Sequence, residues 1–282
     1  MSSPVSTSGV QPVEGDRSPV REVRGRIESR AVHIDLRGAV MLAFVAVVGL
    51  LAFTWPLLVT PDSSLAGSTQ APLVFALILP VVIGLALSEL TGEGMDVKAL
   101  AMLGVLSAVG AVLRPLGAGT AGIETVFFLL VLGGRVFGPG FGFILGNTTL
   151  FASALLTAGV GPWLPFQMIS SGFVGLVAGL LPRCRGWLEI GLLALYGIVS
   201  AFMFGMLMDL SFWPFNLGTG TDASYSPDLS AWENLQRFWV FNLATAMGWN
   251  TGRAITNTVF IVLVGPAVLA VLRRAARRAQ FV

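Results

Sequence analysis

From Gly38 to Leu272 the chain alternates long apolar runs with short polar interruptions. The runs are continuous rather than alternating in period two, so they predict membrane-spanning helices and not the strands of a β-barrel. They read as Gly38–Val59, Pro72–Leu90, Lys98–Leu113, a short stretch Ile123–Leu132, Phe137–Ala158, Phe166–Leu181, Leu188–Leu210, and a last region Phe238–Leu272 broken near Gly248–Gly252. A spanning helix takes about 20 residues and no fewer than roughly 17. The third run is therefore marginal, and Ile123–Leu132 must be tilted, extended by its flanks or sheltered by neighbours. Eight crossings account best for the pattern, against six or seven if the short runs do not span. Turns are expected at Thr91–Val97, at the glycine-rich Gly117–Gly122, at Gly133-Gly134-Arg135 and at Gly159–Pro165, and a long polar loop at Ser211–Arg237.

The charges orient these runs. With eight crossings, one side receives Lys98, Arg135, Arg183, Arg185 and the cluster Arg273, Arg274, Arg277, Arg278, together with six arginines among residues 1–37. The other side receives Arg114 and Arg237, while Arg253 falls inside the last apolar region. Basic residues mark the cytoplasmic side, so both termini are expected in the cytoplasm. Residues 1–37 lack an apolar core and read as a disordered cytoplasmic tail rather than a cleavable signal peptide, with a stretch near Val20–Ile34 able to lie on the membrane. Residues 38–97 read as an N-terminal helix pair and 98–282 as a six-helix membrane domain.

Composition agrees with lipid as the main solvent. Charged residues are 11% and hydrophobic residues 55% of the chain, where a soluble domain carries about 25% charged. The sequence pI of about 9.2 comes from arginines flanking apolar runs, which is a topology signal and not a nucleic-acid surface. The inventory for catalysis is poor. The one histidine, His33, is in the tail, and the one cysteine, Cys184, is in a turn. Metalloprotease, nucleophile-elbow and Walker patterns are missing, and no metal-ligand spacing occurs. The chain reads as a non-enzyme with no cofactor and no metal.

Function is therefore sought in polar residues at membrane depth. Glu124 heads an apolar stretch ten residues after Arg114. They are expected to pair across the glycine loop, either as a helix-terminal ion pair or in contact with a ligand. Trp163 is either an interfacial anchor or a ligand contact, and Gln167 needs a partner just inside the membrane. Asn250, Arg253 and Asn257 share a helix face that should meet protein interior or a watery cavity. Asn147 is a weaker candidate of the same kind, and Trp213, Asn216 and Tyr225 could cap a ligand from the outer loop. Small residues four apart on the third run, Gly104 with Ala108 and Ser107 with Ala111, allow a helix to approach closely from within or from a partner.

The run Ala99–Pro115, the segment Gly133 to Gly142 (GGRVFGPGFG) and the segment Gly159 to Met168 (GVGPWLPFQM) together resemble the substrate-binding S component of an energy-coupling factor (ECF) vitamin transporter, of the actinobacterial type. The resemblance covers Lys98 to the C-terminus and implies an all-α six-helix bundle, here preceded by two extra helices. It implies capture of a vitamin or cofactor precursor from outside, with Arg114, Glu124, Trp163 and Gln167 on that face. It also implies a transmembrane coupling subunit and two cytoplasmic ATPase subunits as partners, met through a small-residue pair on the first core helix. A non-catalytic structural or assembly subunit without a ligand is the competing reading.

Overall fold

The computed structural model of the protein describes residues 34–59, 71–92, 95–117, 120–216 and 220–279. The tail assigned from the sequence lies, up to residue 33, outside the described residues. Its last residues are ordered: the Asp35 carboxylate accepts the main-chain N–H of Gly38 at 2.8 Å, an N-cap that starts α1 (Leu36–Leu58) and satisfies a donor the helix cannot. Then follow α2 (Ala71–Gly92), α3 (Val97–Leu113), α4 (Phe127–Phe137), α5 (Pro139–Leu156), α6 (Leu164–Leu180), α7 (Trp187–Asn216), α8 (Ala231–Thr245), α9 (Met247–Leu263) and α10 (Gly265–Ala279). The described residues form an all-α membrane protein.

Among the described residues, four helices are long and apolar enough to cross a bilayer: α1, α2, α5 and α7. A fifth crossing forms if α9 and α10, bent by 65° at Val264, count as one span, and α3, α4 and α6 are shorter apolar helices. The short α4 is sheltered. Nine of its eleven residues are buried, with α5, α6, α7, α9 and α10 around it.

Three expected boundaries move, each for a stated reason. Gly133, Gly134 and Arg135 are helical, and the chain turns instead at Gly138, whose φ of 95° suits glycine, just before Pro139 opens α5. Gly134 is there for packing: a Cβ on it would overlap the Gly175 carbonyl of α6, and one on Gly142 of α5 would strike the same group. So α4, α5 and α6 meet at backbone distance, the close approach that small residues permit in membranes. The last apolar region is three helices, broken at Ala246 and Val264 rather than at Gly248–Gly252; Pro266 in the first turn of α10 offers no N–H to continue α9. Finally, α7 runs six residues beyond Leu210, so Trp213 and Asn216 are helical and not in a loop. The Trp213 indole N–H donates to Ala223 O at 2.8 Å and its ring packs against Tyr225. The shortened loop ends at Ser230, where a reciprocal bond with Glu233 caps α8.

Aromatic residues fix α1 and α2 to the bundle. Phe53 and Phe75 pack edge-on against Phe166 of α6, and the Trp55 indole N–H donates to Ser211 O of α7 at 2.9 Å. At the end of the bundle that holds Lys98, the buried Glu189 carboxylate accepts from Arg135 Nε at 2.7 Å and from Arg273 Nη2 at 2.6 Å. Arg135 also donates to Leu181 O. Two arginines that mark topology in the sequence thereby tie α4, α7 and α10 together.

A candidate ligand site at one end of the bundle

The C-terminal ends of α3, α5 and α7 and the N-terminal ends of α4, α6 and α9 gather at the end opposite Glu189. Arg114 follows the last turn of α3. Its Nη2 donates to Gln167 Oε1 at 2.8 Å and its Nη1 reaches Ser153 Oγ at 3.4 Å. One guanidinium thus bridges α3, α5 and α6, and the Gln167 amide finds its partner there.

Glu124 does not pair with Arg114. Its carboxylate accepts from Arg253 Nη2 of α9 at 2.6 Å, while Arg114 feels it only through space. The backbone explains the choice. Gly252 lies flush against the main chain of Ala121, and Gly122, at φ 78°, against that of Trp249. The segment joining α3 to α4 is therefore laid onto the first turns of α9, and Thr125 Oγ1 ties its far side back to Leu113 O. That seats Glu124 over Arg253.

Arg253 is buried at 7% exposure. Its Nη1 donates to Asn250 Oδ1 at 2.9 Å and to Ala201 O at 3.2 Å. Its guanidinium lies 5.0 Å from the Phe204 ring centre and 5.7 Å from that of Phe127, distances at which the ring faces stabilise a cation. Asn257 donates to Gly197 O at 3.1 Å. Asn250, Arg253 and Asn257 therefore face α7 along one side of α9. Asp209 of α7 accepts from Asn242 of α8 at 2.9 Å, and the charge of Arg253 reaches it too.

The structure thus brings together Arg114 with Gln167, and Glu124 with Asn250 and Arg253. It leaves two candidates apart. Asn147 is wholly buried between α5 and α6, donating to Phe143 O and lying against Gly172. Trp163 is 44% exposed and folds back over Gly161. Asp209, Ser153 and Glu189 were not singled out from the sequence. A lone carboxylate such as Asp209 inside an apolar run is a signal that could have found one of them. None of the three principal cavities is lined by Arg114, Glu124, Gln167 or Arg253. These polar groups make hydrogen bonds to one another, while Arg253 Nε is buried without a partner. They provide guanidinium and amide donors, with no nucleophile among them.

Residues 98–272, more than half of the chain, match the family described as "ECF transporter, substrate-specific component". The chain belongs to that family. No curated protein and no solved structure matches it. The S component is thus the substrate-binding subunit of an ECF transporter, a multi-pass membrane protein. Its family members are transporter subunits rather than enzymes, and work with a transmembrane coupling subunit and ATPases. The match begins in the first turn of α3 and ends within α10, so α1 and α2 precede it.

On α3 the two small-residue pairs have different surroundings. Ser107 is buried and shares a hydrogen bond of 2.7 Å with Thr148 of α5, and Ala111 is fully buried. Gly104 and Ala108 are exposed, and a Cβ on Gly104 would meet nothing within 4 Å.

Proposed function

We propose that this S component captures a vitamin or cofactor precursor at the end holding Arg114 and Arg253, that this end faces outward with both termini in the cytoplasm, and that partner ATPases drive import. The observation carrying this reading is the gathering of two arginines, a glutamate and two amide side chains at one bundle end, while Lys98, Arg135, Arg273 and their neighbours occupy the other. Basic ends stay inside. The ligand takes over hydrogen bonds that these side chains now make to each other, with Arg114 and Gln167 as first contacts and Asn250, Arg253 and Asn257 behind them. Asn147 and Trp163 act outside that first contact, the former through α5–α6 packing and the latter at the membrane boundary. A second reading, an assembly subunit without a ligand, is favoured by the hydrogen bonds that most of these polar groups already make to one another.

Mass spectrometry of the purified protein separates the two: a retained small molecule supports capture, and its repeated absence supports assembly. A hydrogen bond to a charged group is worth about 1.5–3 kcal/mol. Arg114→Ala should therefore weaken ligand affinity on the order of 10- to 100-fold, with Gln167→Ala weaker in the same direction. If the double substitution leaves affinity and uptake unchanged, the site lies elsewhere.

The coupling subunit is proposed to meet α3 at Gly104 and Ala108, because Ser107 and Ala111 are already used against α5. Gly104→Leu should leave the melting temperature of the isolated S component unchanged and abolish co-purification with the coupling subunit. Ala111→Leu should instead destabilise the S component by about 1–3 kcal/mol, the usual cost of overpacking.

A further inference from the structure

Charge is shared unevenly among the arginines. Arg135 and Arg273 meet Glu189, and Arg253 meets Glu124. Arg114 touches no carboxylate among the described residues. Its two acceptors, the Gln167 amide oxygen at 2.8 Å and the Ser153 hydroxyl at 3.4 Å, are neutral. Glu124 acts on it only across space and is already engaged by Arg253. The helix ends leave the balance unchanged, because Arg114 caps the negative end of α3 while Gln167 lies in the first turn of α6, at a positive end.

The Arg114 guanidinium also has donors to spare. A guanidinium carries five N–H groups in a planar fork, and Arg114 uses one on each of Nη1 and Nη2. The rest have no acceptor among the described residues. Arg253 Nε lacks a partner too, but it is sealed in the interior. Arg114 is half-buried, beside the exposed Pro115 and Leu116, so its free donors can be reached from outside the bundle. Its bonds to α5 and α6 hold the fork in place. A cation kept partly out of water without a countercharge is unfavourable. A fixed fork suits a carboxylate or phosphate, which accepts two parallel N–H bonds from it.

The acidic groups of this end lie on its other side. Glu124 contacts Arg253 of α9, and Asp209 of α7 feels the same guanidinium. An incoming anion is repelled there and drawn to the side built by α3, α5 and α6. We infer that the substrate carries an anionic group, a carboxylate or a phosphate, and that Arg114 receives this group while Arg253 does not touch it. This rests on the capture reading above and adds the charge of the substrate and the way round it lies.

The full chain is purified in detergent, and the molecules it retains are released and sorted into acidic, neutral, basic and lipid fractions before mass spectrometry. One acidic, water-soluble molecule should be found. Gln167→Glu is the sharpest variant, because it keeps the hydrogen bond to Arg114 and supplies the missing carboxylate from the protein itself. Its melting temperature should equal or exceed that of the parent, while the acidic molecule falls at least tenfold. Arg114→Gln should lose as much, and Arg114→Lys, which keeps the charge without the fork, should retain an intermediate amount. A neutral or basic retained molecule overturns the inference and leaves the capture reading standing. No retained molecule of any kind overturns the capture reading itself. An acidic phospholipid as the species that depends on Arg114 overturns the assignment to substrate, and so does parental retention of the acidic molecule by Gln167→Glu.

Discussion

Arg253→Met should destabilise the S component by about 3–5 kcal/mol, the cost of removing one partner from a buried ion pair. The substitution keeps an apolar body of similar reach but deletes the donors to Glu124, Asn250 and the Ala201 carbonyl. It also deprives two carboxylates, Glu124 and Asp209, of the positive charge nearby. The Glu124 side chain is 26% exposed, which lets water soften the loss and places the expected value toward the lower end. Glu124→Gln removes the opposing charge while keeping a hydrogen-bond acceptor, so the double variant should recover part of the loss. Thermal unfolding in detergent measures all three proteins. A melting temperature for Arg253→Met equal to that of the parent would show that the ion pair is solvated and carries little of the fold.

Gly175→Leu should be at least as damaging, for a reason that has nothing to do with charge. A Cβ at Gly175 would sit within contact of the Gly142 main chain, and Gly134 and Gly142 press on Gly175 in return. Overpacking commonly costs about 1–3 kcal/mol because flexible side chains move aside; backbone has no such freedom, so the cost should exceed about 3 kcal/mol. The expected result is loss of monodisperse protein on size exclusion after extraction. Gly248→Ala is the control, since nothing lies within 4 Å of a Cβ there, and it should behave as the parent does. Normal yield and melting for Gly175→Leu would mean that α5 and α6 do not meet as closely as described.

The apolar runs were legible because a bilayer imposes a length and excludes charge, and both leave a mark on composition. Glycine was harder to read. At Gly138 it turns the chain, at Gly134 it admits a neighbouring helix, and at Gly252 it receives a loop; only the first changes the local backbone, and the residue type is the same in all three. Asn250, Arg253 and Asn257 declared a common helix face by their spacing. The partner of Glu124 did not declare itself: Arg114 is ten residues away and Arg253 is 129, and the contact of Gly252 with Ala121 that settles the matter is invisible without the fold. Glu189 and Asp209 stand out as carboxylates in or beside an apolar run, but the helices that supply their partners do not show in the sequence. Each is tolerated where it is because partners arrive from other helices.

The eleven-residue α4 has a consequence for how this protein enters the membrane. Buried on nearly every side, it never has to satisfy lipid on its own, and it is too short to be recognised as a stable insertion unit when it leaves the ribosome. Its entry must wait for company, so biogenesis of this chain should depend on α3 and α5 being delivered together with it, and a ribosome-stalled fragment ending after Phe137 should remain poorly integrated.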